Sequence, residues 1–480
     1  MKIAGYLREK YGPWAWMGQR AHDAGGINRI LPLDFIICCD YGADVPLFFK
    51  GEVFSVEKEK RLRKDWSNED LNASLRGRLG EEIIEKINGY GRKVNLLCYR
   101  SVKRFEKNFK GFDHGVNIFA VPERIKKRFD NKILMYNNLT KLSLNKIPGR
   151  TGILGRENFK ALRRELSLPF VVQFPYSSSG HYTFILREEK DFTKLAKKYP
   201  AQTAILRRYI EGFSLNVNAL VLSCCEGVKV AGSFPSVQLA GIPECTRYPA
   251  VFCGNDYSAA AGLDKKVFAE VEKQSAVIGR WMAKARYRGL FGMDFVVDAD
   301  SGKVYPVEIN PRFQNSTSLF TALSAVSASP EETLFLLHIA EFLQSGDKIM
   351  REYIRKFPYE NLMRPLKGAQ IILHNNTGVD AVTGGIKPGV YKLNKHGLSF
   401  LREGVLPGDC RDTGEILVTC GVPERNMVIA PDAPVCKVQT RESVLDGTRK
   451  GLSVDAEKKI RGVYAETGLR NADERELAGV

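Results

Sequence analysis

The stretch GMDFVVDADSGKVYPVEINPR, residues 292–312, predicts two β-strands joined by a tight turn. Apolar residues, several of them β-branched or aromatic, fill Gly292–Asp298 and Val304–Asn310, as is typical of strands. Asp300-Ser301-Gly302 lies between them and has the residue types that favour a turn. The stretch therefore predicts an antiparallel hairpin, and the rest of the chain is organised around it.

The hairpin has a predicted register that brings two acidic residues together. If the loop is centred on Ser301, Asp294 pairs with Glu308, because each lies seven residues from that centre. Side chains alternate along a strand, so Asn310 shares the face of Glu308, and Gly292 opposite Asn310 leaves room. The register therefore places three oxygen-bearing side chains on one narrow face.

Two carboxylates across a strand pair should repel each other, since their Cβ atoms lie only about 4.5–5.5 Å apart. Such an arrangement is stable if a cation lies between Asp294 and Glu308. Hard oxygen ligands favour Mg²⁺, with water and phosphate oxygens completing its coordination. The alternative is an exposed acidic hairpin without a partner, and Asn310-Pro311-Arg312, which follows at once, weighs against it.

These residues resemble the metal-binding hairpin of the ATP-grasp superfamily of carboxylate–amine ligases. The resemblance rests on Glu308-Ile309-Asn310-Pro311-Arg312, which begins fourteen residues after Asp294, and it extends over about residues 115–345. It implies that Asp294, Glu308 and Asn310 hold two Mg²⁺ ions, with Mn²⁺ as an alternative, on the triphosphate of ATP. It also implies that Arg312 orients an acyl phosphate or stabilises a developing oxyanion.

Other segments resemble the nucleotide-binding parts of the same family. Lys132, ahead of a helix predicted over Ile133–Leu144, resembles its first phosphate-binding lysine, and Ile205–Gly212 resembles its adenine-binding linker. In that linker the backbone groups of Arg208 and Ile210 would hydrogen-bond adenine. The phosphate-covering loop would contain small residues whose N–H groups approach the phosphates closely; they are Ser177, Ser178, Ser179 and Gly180.

The sequence departs from the family pattern at two positions. The family usually has Lys or Arg at the end of the strand Val171–Gln173, where a cation contacts the α-phosphate, but this chain has Gln173. A neutral hydrogen bond is weaker than a charge-assisted one, so ATP affinity should fall unless another cation compensates. An acidic residue often binds the ribose after the linker, and here Ser214 and Asn216 lie near that place, with Glu211 as a substitute.

Composition limits the class of protein. The 480 residues are 44% hydrophobic and 26% charged, which is ordinary for a globular chain of two to four domains. No apolar run approaches the roughly 20 residues of a membrane span, and no signal sequence precedes residue 20. The ten cysteines form no CxxC pair, so we expect a reduced, cytoplasmic protein.

The net charge of +17 is concentrated in one part of the chain. Residues 101–200 contain 21 Lys and Arg against 9 Asp and Glu. Such an excess attracts polyanions, either nucleic acid or nucleotide phosphates, although a solvated basic face explains it as well. The sequence shows no nucleic-acid motif, so a nucleic-acid partner is not expected, and the excess is interpreted as steering of anionic substrates.

The expected fold class is α/β, in the broader sense α+β. Strands alternating with helices predict an N-terminal α/β domain over 1–122. The resemblance implies the ATP-grasp fold, with a small ATP-binding subdomain over 123–203 that carries the phosphate loop and a large one over 204–350 that carries the metal site. The Gly-rich remainder, 365–480, is expected to form an antiparallel, β-rich domain.

The expected function is an ATP-dependent ligase that forms an amide or peptide bond. The resemblance implies that a small-molecule or peptide carboxylate is activated as an acyl phosphate and then joined to an amine, with release of ADP and phosphate. Three alternatives remain open: a carboxylase-type enzyme acting through carboxyphosphate, a non-catalytic ATP-binding regulatory protein, and a nucleic-acid binder. The substrates, the oligomeric state and the role of 365–480 are not determined by the sequence.

Overall fold

The computed structural model describes residues 2–101, 115–176, 180, 182–224, 227–327, 329, 331–473 and 476, and shows a mixed α/β protein. The helices are α1 Ile3–Tyr11, α2 Gly25–Ile30, α3 Val45–Phe48, α4 Val56–Lys60, α5 Asn68–Ser74, α6 Arg78–Asn88, α7 Glu123–Asp130, α8 Lys132–Asn138, α9 Phe159–Leu166, α10 Glu189–Lys198, α11 Tyr257–Ala261, α12 Lys265–Lys284, α13 Asn315–Ser327, α14 Leu334–Leu343, α15 Lys348–Lys356 and α16 Val454–Thr467. The strands are β1 Trp14–Met17, β2 Phe35–Cys38, β3 Glu52–Ser55, β4 Leu62–Arg63, β5 Val94–Cys98, β6 Val116–Phe119, β7 Gly149–Ile153, β8 Phe170–Gln173, β9 Thr183–Leu186, β10 Thr203–Arg208, β11 Gly212–Cys224, β12 Gly227–Gly232, β13 Ser236–Ala240, β14 Phe252–Asp256, β15 Gly289–Asp298, β16 Val304–Asn310, β17 Ala369–His374, β18 Ala381–Val382, β19 Gly389–Asn394, β20 Gly397–Arg402, β21 Glu415–Thr419, β22 Val428–Ile429, β23 Pro434–Thr440 and β24 Arg470–Asn471.

The N-terminal part is built on a parallel five-stranded sheet in the order β3-β2-β1-β5-β6. Strands β1, β2 and β5 are buried along their whole length, as expected for a parallel sheet covered on both faces. The α6 helix packs its Ile83 and Ile87 side chains into the apolar cluster on one face. The α/β class expected for this segment is therefore confirmed.

The segment that contains the predicted phosphate loop forms a separate antiparallel sheet of four strands, in the order β7-β10-β8-β9. The α9 and α10 helices cover one face, where Phe159, Phe170 and Phe192 contact one another. This small core holds the edge of β8 and β10 in a fixed place. Both strands end in polar side chains of the candidate site.

Eleven strands form one large antiparallel sheet across the rest of the chain. Its order is β16-β15-β11-β13-β14-β17-β23-β21-β19-β20, and β12 pairs with β11. The predicted 365–480 domain is β-rich, and its strands extend the sheet of the preceding segment, since β17 pairs with β14 through Ile371 and Gly254. Within the described residues, no helix has both the length and the apolar character needed to cross a membrane.

The helix predicted over Ile133–Leu144 is shorter than expected. It begins at Lys132, where the Asn131 side chain caps it, and it ends at Asn138. The chain then turns, and Ser143 adopts a left-handed conformation with φ of 56°, which an α-helix cannot contain. The correction matters for the site, because Lys132 occupies the first position of a capped helix.

Candidate functional site

The hairpin register predicted from the sequence is correct, although the reason differs from the predicted one. Asp294 pairs with Glu308 and Gly292 pairs with Asn310. Near the turn, however, Val297 pairs with Val304, so the loop is centred between Asp300 and Ser301. A β-bulge at residue 307 adds one residue to β16 and restores the predicted pairing beyond it. The bulge therefore sets which side chains face each other at the site.

The Asp294 carboxylate is buried and accepts two amide hydrogen bonds. Asn216 Nδ2 donates to Oδ1 at 2.5 Å, and Asn310 Nδ2 donates to Oδ2 at 3.0 Å. Burial, followed by the nearby charge of Glu308, raises the pKa of Asp294 to about 7, and both amides act in the opposite sense. A cation between the two carboxylates would relieve this repulsion.

Behind Asp294 lies a network of amides that the sequence reasoning did not identify. Gln314 Oε1 accepts from Asn216 at 2.7 Å and from Asn310 at 3.3 Å, while its Nε2 donates to the carbonyl oxygen of Val217 at 3.0 Å. The space left by Gly292 is filled by this side chain, since a Cβ at Gly292 would lie 1.8 Å from Gln314 Cδ. In the sequence, the only signal for Gln314 was that it is a polar residue a few positions after the hairpin.

Glu308 is bound by the predicted phosphate lysine. Lys132 Nζ lies 3.0 Å from Glu308 Oε1, and the lysine side chain is only 2% exposed. The backbone N–H of Lys132 donates to the carbonyl oxygen of Pro175 at 2.9 Å, which ties the start of α8 to the loop after β8. A predicted phosphate ligand and a predicted metal ligand thus form one buried ion pair, which supplies a cation beside the paired carboxylates.

The predicted metal ligands fit a hard divalent cation with one adjustment. The two carboxylates face each other and supply the oxygen ligands that Mg²⁺ prefers. Asn310 turns its Nδ2 towards Asp294 and its Oδ1 towards Arg312, so a 180° turn of the amide would present the oxygen to the same space. Across the described ranges no group of three His, Cys, Asp or Glu side chains could hold a metal, so the candidate set depends on this amide.

Arg312 lies beside these ligands, as the sequence predicts. Its Nη2 donates to Asn310 Oδ1 at 2.8 Å, and its Nη1 donates to the carbonyl oxygen of Phe313 at 3.0 Å. These two bonds fix the guanidinium at the end of β16, and the residue is half-buried. It lines a cleft that is bordered by the β15–β16 hairpin and by the strands β8 and β10. Neither bond neutralises its charge, because both acceptors are uncharged.

Gln173 has a cationic neighbour that the sequence reasoning missed. Arg207 on the adjacent strand β10 donates from Nη2 to Gln173 Oε1 at 3.0 Å, and Gln173 Nε2 donates to Thr183 Oγ1 at 3.2 Å. Gln173 and Arg207 are 5% and 7% exposed, and both line the cleft. Burial lowers the pKa of Arg207 to about 10, while Tyr136 and Glu308 act in the opposite sense, so the guanidinium stays charged near neutral pH.

The predicted phosphate loop is described only at its end. Ser177, Ser178 and Ser179 lie outside the described residues. Gly180 has a φ of 81°, and a Cβ there would lie 1.8 Å from the carbonyl oxygen of Ala250. Both the left-handed conformation and this close approach require glycine. Gly180 lines the same cleft as Gln173 and Asp294.

The predicted adenine linker also borders the cleft, which has a volume of about 380 Å³. The backbone N–H of Arg208 donates to the carbonyl oxygen of Pro148 at 2.9 Å. Glu211 is 64% exposed and does not line the cleft; its carboxylate pairs with Lys450, which does. Apolar side chains of the linker, β8, β9, β11, β13, β15 and β16 also line the cleft: Val171, Ile185, Ile210, Phe213, Leu239, Val296 and Val307.

Comparison with known proteins identifies the domain that contains this cleft. Residues 129–316 match the family described as the ATP-grasp domain. No curated protein sequence matches the chain. Several solved structures share the fold at low sequence identity.

The fold comparison extends over most of the chain. A pyruvate carboxylase variant from Rhizobium etli has a TM-score of 0.55 at 15% identity over 89% of this chain, which spans only 36% of that protein. The biotin carboxylase domain of Hydrogenobacter thermophilus 2-oxoglutarate carboxylase, bound to MgADP, ADP and bicarbonate, has a TM-score of 0.54 at 13% identity, covering 89% of this chain and 86% of that one. N5-carboxyaminoimidazole ribonucleotide synthetase from Thermus thermophilus has a TM-score of 0.53 at 12% identity, covering 96% and 100%.

These structures show that the chain has the ATP-grasp fold, as the sequence predicts. The family match covers the strands β8 and β10, the linker and the metal hairpin. Residues 129–316 are therefore similar to the ATP-grasp domain, and the chain as a whole shares its fold with these structures.

Proposed function

We propose that this protein is an ATP-dependent ligase that activates a substrate carboxylate as an acyl phosphate and joins it to an amine. The observation that carries the proposal is the pairing of Asp294 and Glu308 across one cleft, with Lys132 bound to Glu308 and Arg312 at the end of the strand. ATP is the cosubstrate. A small-molecule or peptide acid and an amine are the proposed substrates.

The walls of the cleft can hold the nucleotide in one orientation. The linker backbone at Arg208 and Ile210 would bind adenine, while Arg207 beside Gln173 would contact the phosphates. Lys132 and the loop ending at Gly180 would hold the terminal phosphates. Asp294, Glu308 and Asn310 would hold Mg²⁺, which supplies charge neutralisation for the triphosphate when it is bound.

The chemistry needs two displacements. A carboxylate oxygen of the acid attacks the γ-phosphorus of ATP, and the bond from that phosphorus to the β,γ-bridging oxygen breaks, so ADP leaves. The amine nitrogen then attacks the carbonyl carbon of the acyl phosphate. The carbon–oxygen bond to phosphate breaks, inorganic phosphate leaves and the nitrogen loses a proton. Both steps depend on positioning and on neutralisation of charge.

Arg312 is proposed to stabilise negative charge that develops beyond the γ-phosphate. Its guanidinium is fixed by Asn310 and Phe313 before any substrate arrives, and a fixed donor needs no reorganisation during the reaction. Removal of such a donor should reduce turnover more than nucleotide binding. This separates a ligase from a protein that only senses ATP.

A second candidate is a carboxylase-type reaction in which bicarbonate is the acid. The specific observation in its favour is that the Hydrogenobacter thermophilus structure, which shares the fold, holds bicarbonate together with MgADP. The first displacement would then form carboxyphosphate in place of an acyl phosphate.

ADP release from MgATP, measured with bicarbonate and with a panel of organic acids, each with and without a panel of amines, tests the proposal. Acid-dependent ADP release whose product is an amide supports the ligase. Release that requires bicarbonate alone would support the carboxylase. ATP binding without ADP release under any of these conditions would contradict both and favour a regulatory ATP-binding protein.

A further inference from the structure

The strand order of the N-terminal sheet reverses between β1 and β5, which is where a crevice is expected in an open parallel sheet. From β1 the chain proceeds outward to β2 and β3 on one side, while β5 and β6 lie on the other side. In open parallel sheets, ligands bind beyond the carboxyl ends of the strands that flank such a reversal. Here those strands are β1 and β5, which end at Met17 and Cys98.

Three arginines surround one aromatic ring at this crevice. Arg20 follows β1, and Tyr99 and Arg100 follow β5 directly. The guanidinium carbons of Arg20, Arg100 and Arg312 lie 5.6, 5.7 and 5.8 Å from the centre of the Tyr99 ring. The backbone N–H of Phe313 donates to the carbonyl oxygen of Tyr99 at 3.1 Å, so the metal hairpin continues directly into the crevice.

The positive charge of this cluster is only partly balanced. Arg20 Nε lies 3.1 Å from Asp23 Oδ2. Arg100 donates to the neutral Gln19 Oε1 at 2.9 Å, and its buried Nε has no hydrogen-bond partner. Among the described residues, neither Arg100 nor Arg312 forms an ion pair with a carboxylate. Burial and the charge of Arg312 lower the pKa of Arg100 to about 10, as expected for neighbouring guanidiniums.

The charge of Asp130 also acts on Arg100, but this acid is already bound. Asp130 Oδ2 lies 3.3 Å from Lys126 Nζ. The pKa of Asp130 lies below its usual value because Lys126, Arg312, Lys132 and Arg100 outweigh the effect of burial. Lys126 also pairs with Glu123, and Lys132 pairs with Glu308, so the excess of positive charge at the end of the hairpin comes from Arg100 and Arg312. Such an excess is stable if an anionic ligand enters it.

We propose that the crevice between β1 and β5 binds a second anionic group of the acid substrate through Arg20 and Arg100, while Arg312 faces the carboxylate that reacts. This rests on the proposed function and names its substrate class: a small acid with two anionic groups, either a dicarboxylate or a phosphorylated carboxylate. Arg20 Nη2 also donates to the Tyr99 hydroxyl at 3.3 Å, while Gln19 orients Arg100 and Asp23 orients Arg20.

The test is a calorimetric titration of the protein in saturating MgADP, so that the nucleotide site is already filled. Malonate, succinate, glutarate and adipate are each compared with the monoamide of the same acid, and phosphonoacetate and 3-phosphonopropionate with acetate and propionate. At least one dianion should bind at least about tenfold more tightly than its matched monoanion, the ratio expected from one charge-assisted hydrogen bond. The two series show whether the second group is a carboxylate or a phosphate.

Arg100→Gln should remove this preference for a dianion, because it deletes the charge and keeps a polar side chain. Arg288→Gln is the matched control, since Arg288 also lies over an aromatic ring, 4.3 Å from the centre of Phe342, but is exposed and outside the crevice. Arg20→Gln, which deletes the other guanidinium charge of the proposed site, provides a second variant should Arg100→Gln fail to fold, and it should reduce the same preference. A dianion preference that is absent in the parent, or that survives in Arg100→Gln, would overturn the proposal.

Acid-dependent ADP release on the same samples separates this inference from the proposed function. If Arg100→Gln abolishes the preference for a dianion but no acid causes ADP release, the anion site would be supported and the ligase would be contradicted. Equal turnover of a dianionic acid by the parent and by Arg100→Gln would support the ligase and contradict the anion site.

Discussion

The two walls of the nucleotide cleft carry charge in different ways. The β15–β16 wall brings two carboxylates face to face within one hairpin, with Lys132 as their cation. The opposite wall, formed by β8 and β10, carries a single buried guanidinium, Arg207, which is bonded to a neutral amide, Gln173. The first wall suits a metal ion, and the second suits a phosphate.

The difference shows that the cation of the second wall can be supplied by a neighbouring strand. The family pattern has a cation at the position of Gln173, and here Arg207 lies beside it. On the hairpin, pairing partners lie close in sequence, so the residues that act together are fixed by one turn. On the other wall, Ile205 pairs with Gln173 across two strands more than thirty residues apart, and the cation stands on the neighbouring strand. An amide that looks like a loss in the sequence is, in the structure, the partner of a cation.

The largest expected effect comes from breaking the carboxylate wall. Glu308→Gln should abolish magnesium-dependent ADP formation, because it removes a metal ligand and leaves Lys132 facing a neutral amide. The unfolding temperature should change little, since the two side chains have the same shape. Steady-state ADP release with and without Mg²⁺ measures the effect. Asp300→Asn, in the exposed turn of the same hairpin, is the control and should behave like the parent; equal turnover of Glu308→Gln would show that the metal assignment is wrong.

Arg312→Ala tests the arginine at the end of the same wall. We expect ligation to fall by about 10²-fold or more, the scale of losing one oxyanion donor, while MgATP affinity changes little. Melting temperature, ATP affinity and ADP release should be measured on one sample. Arg312 bonds only to Asn310 and to the Phe313 backbone among the described residues, so a joint loss of stability and ATP affinity would instead indicate a structural role.

The opposite wall is tested by exchanging its cation between strands. Arg207→Gln should weaken ATP binding by about 10- to 100-fold, the range for a hydrogen bond to a charged group. Gln173→Lys alone should give little gain, because it places a second cation beside Arg207. The double variant should recover most of the loss. Calorimetry should give the ATP dissociation constants of the two single variants and of the double variant, which together form a double-mutant cycle. A double variant that binds ATP no more tightly than Arg207→Gln would contradict the proposal that either position can supply the cation.

Gly292→Ala should have the smallest effect of these substitutions. It perturbs the network of amide side chains that lies behind the Asp294 carboxylate. The added Cβ would collide with Gln314, whose amide holds Asn216 and Asn310. Overpacking of this kind costs about 1–3 kcal/mol of unfolding free energy. Thermal unfolding measures it, with Gly302→Ala as a control in the open turn, where a Cβ would meet no atom within 4 Å but the left-handed φ of 67° adds its own strain. No greater loss in Gly292→Ala than in Gly302→Ala would indicate that Gln314 moves freely.

The hairpin could be predicted from the sequence because its pairing depends on one short turn. Asp294, Glu308 and Asn310 alternate along two strands, and the bulge at residue 307 compensates for a turn that is centred half a residue before the predicted position. Arg207 and Gln314 could not be predicted, because each reaches the site through contacts between strands distant in sequence. The helix at Lys132 was predicted too long, since the left-handed turn at Ser143 has no strong sequence signal. Contacts between strands that are distant in sequence could therefore not be predicted from the sequence.

The most direct test of the account is a calorimetric titration of ATP in the presence and absence of Mg²⁺, for the parent, Glu308→Gln and Arg207→Gln. The account predicts that Mg²⁺ strengthens ATP binding by the parent, that Glu308→Gln loses this gain, and that Arg207→Gln weakens binding to a similar extent under both conditions. ATP affinity that does not depend on Mg²⁺ in the parent, or that neither substitution changes, would contradict the assignment of the two walls.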